Sequence, residues 1–347
     1  MGMLDRSIAV LRAPSAVLAV AAICLAGPAL ATAGHGSAAV CAGTDILSEL
    51  AELDPEAHAR VMRVADATEN TEALLWRLRR DGHRDSYLFG TMHVTDERVT
   101  HFSPELTRVL EVVDRVALEI DDLSPDAMVP VIKKASELLL FTDGSRLDTL
   151  LSVSEYNKTK AILAKIGVPQ KAASLIKPWF VSALLGISDC ERNRSKTGDV
   201  VLDMKLAATA RERGAEVVGL ETLESQLLGL ASVPLEEQIF SLRAGLAFSE
   251  RSHDLLETTL QLYQKRRIGA ALQLHRELAR WAGIENASFD GFERELLEKR
   301  NRIMAERALP LLEQGNTLIA VGALHLVGAN GLVALLREAG YAVTPIE

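Results

Sequence analysis

What the chain lacks narrows its chemistry before any motif is read. Cysteine is scarce, three in 347 residues. Cys24 falls in the N-terminal apolar run, so Cys41 and Cys190 remain, either as a disulfide or as two separate buried thiols. Hydrophobic residues make up 48% of the chain, yet no run beyond the N-terminus is apolar enough to cross a bilayer. Net charge is −9 and no basic cluster reaches the size that nucleic acid needs, which argues against a polyanion partner. There is no GxSxG, no HExxH and no phosphate-binding glycine loop. No internal repeat or low-complexity tract breaks the sequence up.

What is present begins with a targeting signal. Arg6 and Arg12 precede the apolar stretch "AVLAVAAICLAGPALATA", and Ala31-Thr32-Ala33 supplies small residues for cleavage. The apolar run is short and interrupted by Gly27-Pro28, which favours a cleaved signal peptide over a membrane anchor. The expectation is therefore a periplasmic or secreted protein without a stable membrane span. Residues 1–33 would be the signal, 34–66 an N-terminal lead-in, and 67–347 an α/β domain.

Within that domain strands and helices alternate at both ends. Residues 73–79 and 86–90 suggest a hairpin turning at Asp81-Gly82. Ser103 is a good N-cap and Pro104 suits a first helical position, predicting a helix to about Val113 and then a strand at 116–120. A helical insertion fills about 126–313, interrupted by a strand at 215–221. "NTLIAVGALH" and "YAVTPI" read as the last two strands. This pattern predicts an α/β fold with a largely parallel central sheet, flanking helices and a large helical insertion.

Two strand ends carry the same signature. "SYLFGTMH" and "TLIAVGALH" each run through an apolar strand to a glycine and reach a histidine three residues later: Gly90 with His93, and Gly322 with His325. Glycine suits a turn that needs positive φ or a close backbone approach. Glu119 stands in the apolar run "RVALEID", where an ionised carboxylate is costly unless paired or bound to metal. A right-handed crossover would bring Glu119 to the sheet edge that carries His93. Two histidines and a carboxylate at strand ends suit a divalent metal with open positions for water.

Other residues carry two readings each. Glu221 is a further ligand, a general base, or a helix cap together with Thr222. Arg300 and Asn301 bind an anionic or carbonyl group, or belong to a solvated helix face. The remaining histidines have no comparable setting.

At these motifs the sequence resembles the TraB/PrgY/GumN group, related to Tiki-type metalloproteases. The resemblance rests on "LWRLRRDGHRDSYLFGTMHV", "LEID", "GDVVLDMKLAATARERGAEVVGLETLESQL", "KRNRIMAERALPLLEQGN" and "AVGALHLVGANGLVALLREAGY", from about Leu75 to Ile346. It implies a fold like that of erythromycin-esterase-like and ChaN-like proteins. The site it implies falls on His93, Glu119 and His325, with Arg300-Asn301 and Glu221 beside them. Mn²⁺ or Co²⁺ is the implied metal, and Zn²⁺ also suits the donors. Some relatives of this kind are metal-dependent peptidases. Others are linked to pheromone shutdown or to polysaccharide biosynthesis. This chain lacks the C-terminal membrane segment of some relatives, so a soluble exported form is expected. The leading expectation is a metal-dependent hydrolase acting on a peptide or small molecule. The alternative is a non-catalytic periplasmic protein that binds a metal, a haem or a peptide signal, or an accessory factor in polysaccharide biosynthesis.

Overall fold

Short apolar runs build one six-stranded sheet. The strands are β1 (Leu75–Arg79), β2 (Ser86–Thr91), β3 (Arg115–Leu118), β4 (Glu216–Gly219), β5 (Thr317–Gly322) and β6 (Ala342–Pro345). Burial is almost continuous along β2, β3 and β5. The computed structural model describes residues 41–347 except Leu123 and residues 285–287, so the signal and the first part of the lead-in lie outside the described residues.

The strand order is β4-β3-β5-β2-β1-β6. The four neighbouring strands β4, β3, β5 and β2 are parallel, while β1 runs against both β2 and β6. A parallel sheet is covered on both faces, and alternation divides its side chains accordingly. Leu75, Phe89, Val116, Leu118 and Leu318 face the helices Pro104–Val112 and Leu202–Glu212. Trp76, Leu88, Ala117, Ile319 and Val321 face Lys299–Gln314 and Leu332–Glu338. Each fully buried Leu or Ile here contributes about 1.5–3 kcal/mol, so the layers hold the strand ends firmly in place.

Local chemistry explains the helix starts. The Ser103 hydroxyl accepts the Leu106 N–H at 3.0 Å, and Pro104 fills the first turn where no amide bond is lost. Trp179 lies near the start of the helix Pro178–Gly186 and is buried, its indole donating to the Leu138 carbonyl. The helical insertion has its own core around Leu147, Ile176, Val181 and Leu242. The polar, helix-prone stretch after Thr44 forms two helices, Ile46–Leu53 and Pro55–Ala67, packed on Ser252–Gln264 and Ala270–Trp281.

Cys41 and Cys190 are joined as a disulfide, with their Cα atoms 5.7 Å apart. Among the described residues no helix is long and apolar enough to cross a membrane.

Two strand ends differ from the sequence reading. β3 stops at Leu118 and β4 at Gly219, so Glu119 and Glu221 lie just past their strands, not inside them. The pairing still persists: Leu220 N–H donates to the Leu118 carbonyl at 2.7 Å and Glu221 N–H to the Glu119 carbonyl at 2.8 Å. Both carboxylates are drawn out of the ladder's alternation by stronger partners on other elements.

Candidate functional site

The strand order decides where the two glycine-histidine turns meet. β5 pairs with β2 in parallel, Thr91 opposite Gly322, and with β3 on its other side, Leu118 opposite Ala320. Three strands therefore end together, and each delivers one side chain within a few residues of its end. His93 Nε2 lies 3.9 Å from Glu119 Oε1, and His325 Nε2 lies 3.6 Å from the same oxygen.

The far nitrogen of each ring is held. His93 Nδ1 lies 2.8 Å from Asp203 Oδ2, and Thr91 donates its hydroxyl to the other Asp203 oxygen. His325 Nδ1 lies 2.6 Å from Asn301 Oδ1, so Nδ1 carries the proton and donates it. Asn301 in turn donates its amide to the Asn330 carbonyl and is buried. With Nδ1 engaged, both Nε2 atoms face Glu119.

Glu119 is buried and well supplied with donors. Oε1 accepts the Gly322 N–H at 2.7 Å, and Oε2 accepts from Arg300 at 2.7 Å and Gln226 at 3.0 Å. Arg300 also forks onto both oxygens of Glu221, and Gln226 reaches Glu221 as well. One guanidinium thus joins two carboxylates whose separate burial would be costly.

These surroundings separate the protonation of the groups. Burial tends to raise Glu119, but the charges of His325, His93 and Arg300 and the Gly322 N–H bring it down to about 2. Burial lowers His325 to about 4, with Glu119 opposing and Arg300 assisting. Burial also acts to lower His93, but the hydrogen bond and charge of Asp203, with Glu119, hold it up at about 9. His93 keeps 57% of its side chain exposed, so solvent screens its charge far more than that of buried His325.

Of the two reasons a glycine suits these turns, close approach is the one that applies. Neither Gly90 nor Gly322 has a positive φ. What each provides is close approach. A Cβ on Gly322 would stand 3.2 Å from Glu119 Oε1 and 3.7 Å from His93 Nε2, and one on Gly90 would stand 3.1 Å from Ala323.

The structure brings Gly90, His93, Glu119, Glu221, Arg300, Asn301, Gly322 and His325 into one cluster. Two readings need correction. Thr222, not Glu221, caps the following helix by accepting the Ser225 N–H. Arg300 and Asn301 are not a solvated face: the carboxylates and His325 turn them inward.

Sequence reasoning missed Asp203 and Gln226. Asp203 carried a signal, because it shares a buried helical stripe with Leu206, Ala207 and Ala210, and an acid in that phase needs a partner. Gln226 gave none, since a glutamine in a helix's first turns is ordinary.

The donor types suit a divalent metal. Two imidazole Nε2 atoms and a carboxylate oxygen face one another, and each Nδ1 is fixed as metal-binding imidazoles require. The space left by Gly322 supports this fit. Among the described residues no group of three His, Cys, Asp or Glu side chains is arranged to hold a metal ion as it stands. Glu119 is engaged by Arg300 and the Gly322 amide, so its donors would have to draw closer together.

The profile of the TraB/PrgY/gumN family matches residues 74–345. The chain belongs to the TraB/PrgY/gumN family. Curated proteins similar to it include metalloprotease TIKI2 of Danio rerio, 26% identical over 322 residues, and metalloprotease TIKI1 of Homo sapiens, 25% identical over 317. Those alignments cover 79% and 78% of this chain, and 61% of each relative. The chain thus spans about three fifths of the length of these curated relatives. YbaP of Shigella flexneri, an uncharacterised protein, is 22% identical over 267 residues, covering 74% of this chain and 89% of its own length. No solved structure matches. The TIKI relatives carry the name metalloprotease.

Proposed function

We propose that this family member is an exported metal-dependent hydrolase that cleaves a peptide bond. The observation that carries the reading is the convergence of two Nε2 atoms on one carboxylate oxygen, with each Nδ1 engaged elsewhere. His93, His325 and Glu119 would hold the metal, Mn²⁺ or Co²⁺ by family resemblance. Bound there, such an ion supplies a water of lowered pKa and polarises a carbonyl.

The chain's own residues have separable roles. Asp203 and Asn301 orient the rings. Arg300 lines the cavity at the site, where its positive charge would steady negative charge developing on a carbonyl oxygen. Glu221 is absent from that lining and acts through Arg300 by fixing the guanidinium plane. Asn301 spends both ends of its amide on His325 and Asn330, which makes it a positioning residue and not an oxyanion donor. Export is supported by the N-terminal signal in the sequence and by the Cys41–Cys190 disulfide, which suits an oxidising compartment.

The test is metal analysis of the exported chain beside His93→Ala and His325→Ala, with peptide cleavage followed in each. About one equivalent of transition metal and metal-dependent cleavage are expected in the parent, both lost in folded variants. Tight retention of intact peptide without any product would move the reading to a binding protein.

A further inference from the structure

The lining of the cavity at the site is of two kinds. The cavity volume is about 310 Å³, in the range of small-ligand pockets. Part of the lining is the cluster of His93, Glu119, Arg300 and His325. The rest is mostly apolar, with Met92, Leu262, Phe292, Leu296, Leu297 and Leu324, and holds no charged side chain. A wall of that kind gives nothing to a charged or strongly polar group, which would be desolvated there without a partner.

A second observation concerns how the wall is built. Residues Arg294–Glu298 form a π-turn inside the helix that continues as Lys299–Gln314, the Lys299 N–H donating to the Arg294 carbonyl five residues back. Such turns are rare and gather at functional sites. Leu296 and Leu297 of this turn line the cavity, and Arg300, one turn later, points at Glu119 and Glu221.

We propose that this apolar chamber receives an apolar side chain of the peptide substrate, next to the bond placed at the His/Glu cluster, with Leu297 of the π-turn setting its selectivity. The proposal rests on reading the cluster as the reacting centre. Burying one Leu-sized side chain supplies roughly 1.5–3 kcal/mol, or about tenfold or more in affinity. Leu297 is half-buried, so its replacement leaves the packed core alone.

The experiment measures binding of the capped tripeptides acetyl-Ala-X-Ala-amide, X being Leu, Phe, Asp or Lys, by calorimetry in the presence of Mn²⁺. Parent, Leu297→Asp and Leu297→Phe chains are compared, each checked for folding by its thermal midpoint. The parent should bind X = Leu or Phe about tenfold or more tightly than X = Asp or Lys. Leu297→Asp should remove that preference, and Leu297→Phe should turn it towards smaller side chains. Equal affinity for all four peptides, no binding of any, or a preference unmoved by both variants would overturn the proposal.

Cleavage of the same peptides is followed separately. Selective binding without a product keeps the chamber and removes the hydrolase reading. Cleavage that ignores X does the reverse.

Discussion

At the scale of single residues, the site depends on groups that never touch one another in sequence. His93 would be one exposed imidazole among others without Asp203, which fixes one ring nitrogen while the other faces Glu119. His325 has the same arrangement through Asn301. The histidines themselves were legible because the chain repeats its turn, and Glu119 because a charge interrupts an apolar run. Arg300 was legible chiefly through the family resemblance, since four polar residues in succession, Lys299 to Arg302, look like a solvated helix face. Its burial is set by two carboxylates that arrive from β3 and β4, which no local pattern announces.

Gly322 offers the sharpest test at this scale. Gly322→Ala would place a methyl 3.2 Å from Glu119 Oε1, closer than ordinary packing, so the carboxylate must shift. We expect metal affinity to fall about tenfold or more, as it does when supporting groups of a metal site are lost, with little change in the thermal midpoint. Titration with Mn²⁺ against a competing chelator checks this. An unchanged affinity would show that Glu119 has room to spare.

At the scale of elements, helix starts were the most readable feature because Ser103-Pro104 acts through neighbouring amides alone. Strand ends were less so. Glu119 and Glu221 lie past the strands assigned to them because partners on distant helices redirect them. The short helix Glu97–Thr100 follows the His93 turn and depends on electrostatics in the same way. Asp96 caps it through the Arg98 N–H and also pairs with the Arg98 and Arg194 side chains. Burial would raise the Asp96 carboxyl, but Arg98 and Arg194 hold it at about 2, below its usual 3.8.

Because the folded value is the lower one, this stabilisation is present above pH 4 and fades as pH falls towards 2. Its size is roughly 2 kcal/mol. Asp96→Asn should therefore lower the urea midpoint clearly at pH 7 and much less at pH 2.5. A deficit that stays constant across that range would mean that the cap works without its charge.

At the scale of the whole molecule, the fold class was legible from alternating strands and helices. The strand order was not, because the choice of β5 as the strand between β3 and β2 belongs to the assembled sheet. The disulfide acts at this scale as well. It links residues 149 apart in sequence and fixes the segment before the helix Ile46–Leu53 to the helix Asp189–Thr197. Glu191 of that helix accepts the Thr95 N–H and hydroxyl, just beyond His93. Replacing both Cys41 and Cys190 with Ala should cost about 2–5 kcal/mol in unfolding free energy. Denaturant unfolding with and without reductant would check it, and a parent indifferent to reductant would contradict the cross-link's role.

The central place of β5 has a consequence in time. Residues 317–322 fill the gap between β2 and β3, and His325 follows them directly. Until that segment docks, β2 and β3 have no common neighbour and Glu119 lacks the Gly322 amide that it accepts. Every earlier stage of folding therefore holds His93 apart from its counterpart, and pairings this distant form slowly. A chain interrupted anywhere before β5 would lack both His325 and the Gly322 amide, so the cluster is completed only by a segment near the end of the sequence.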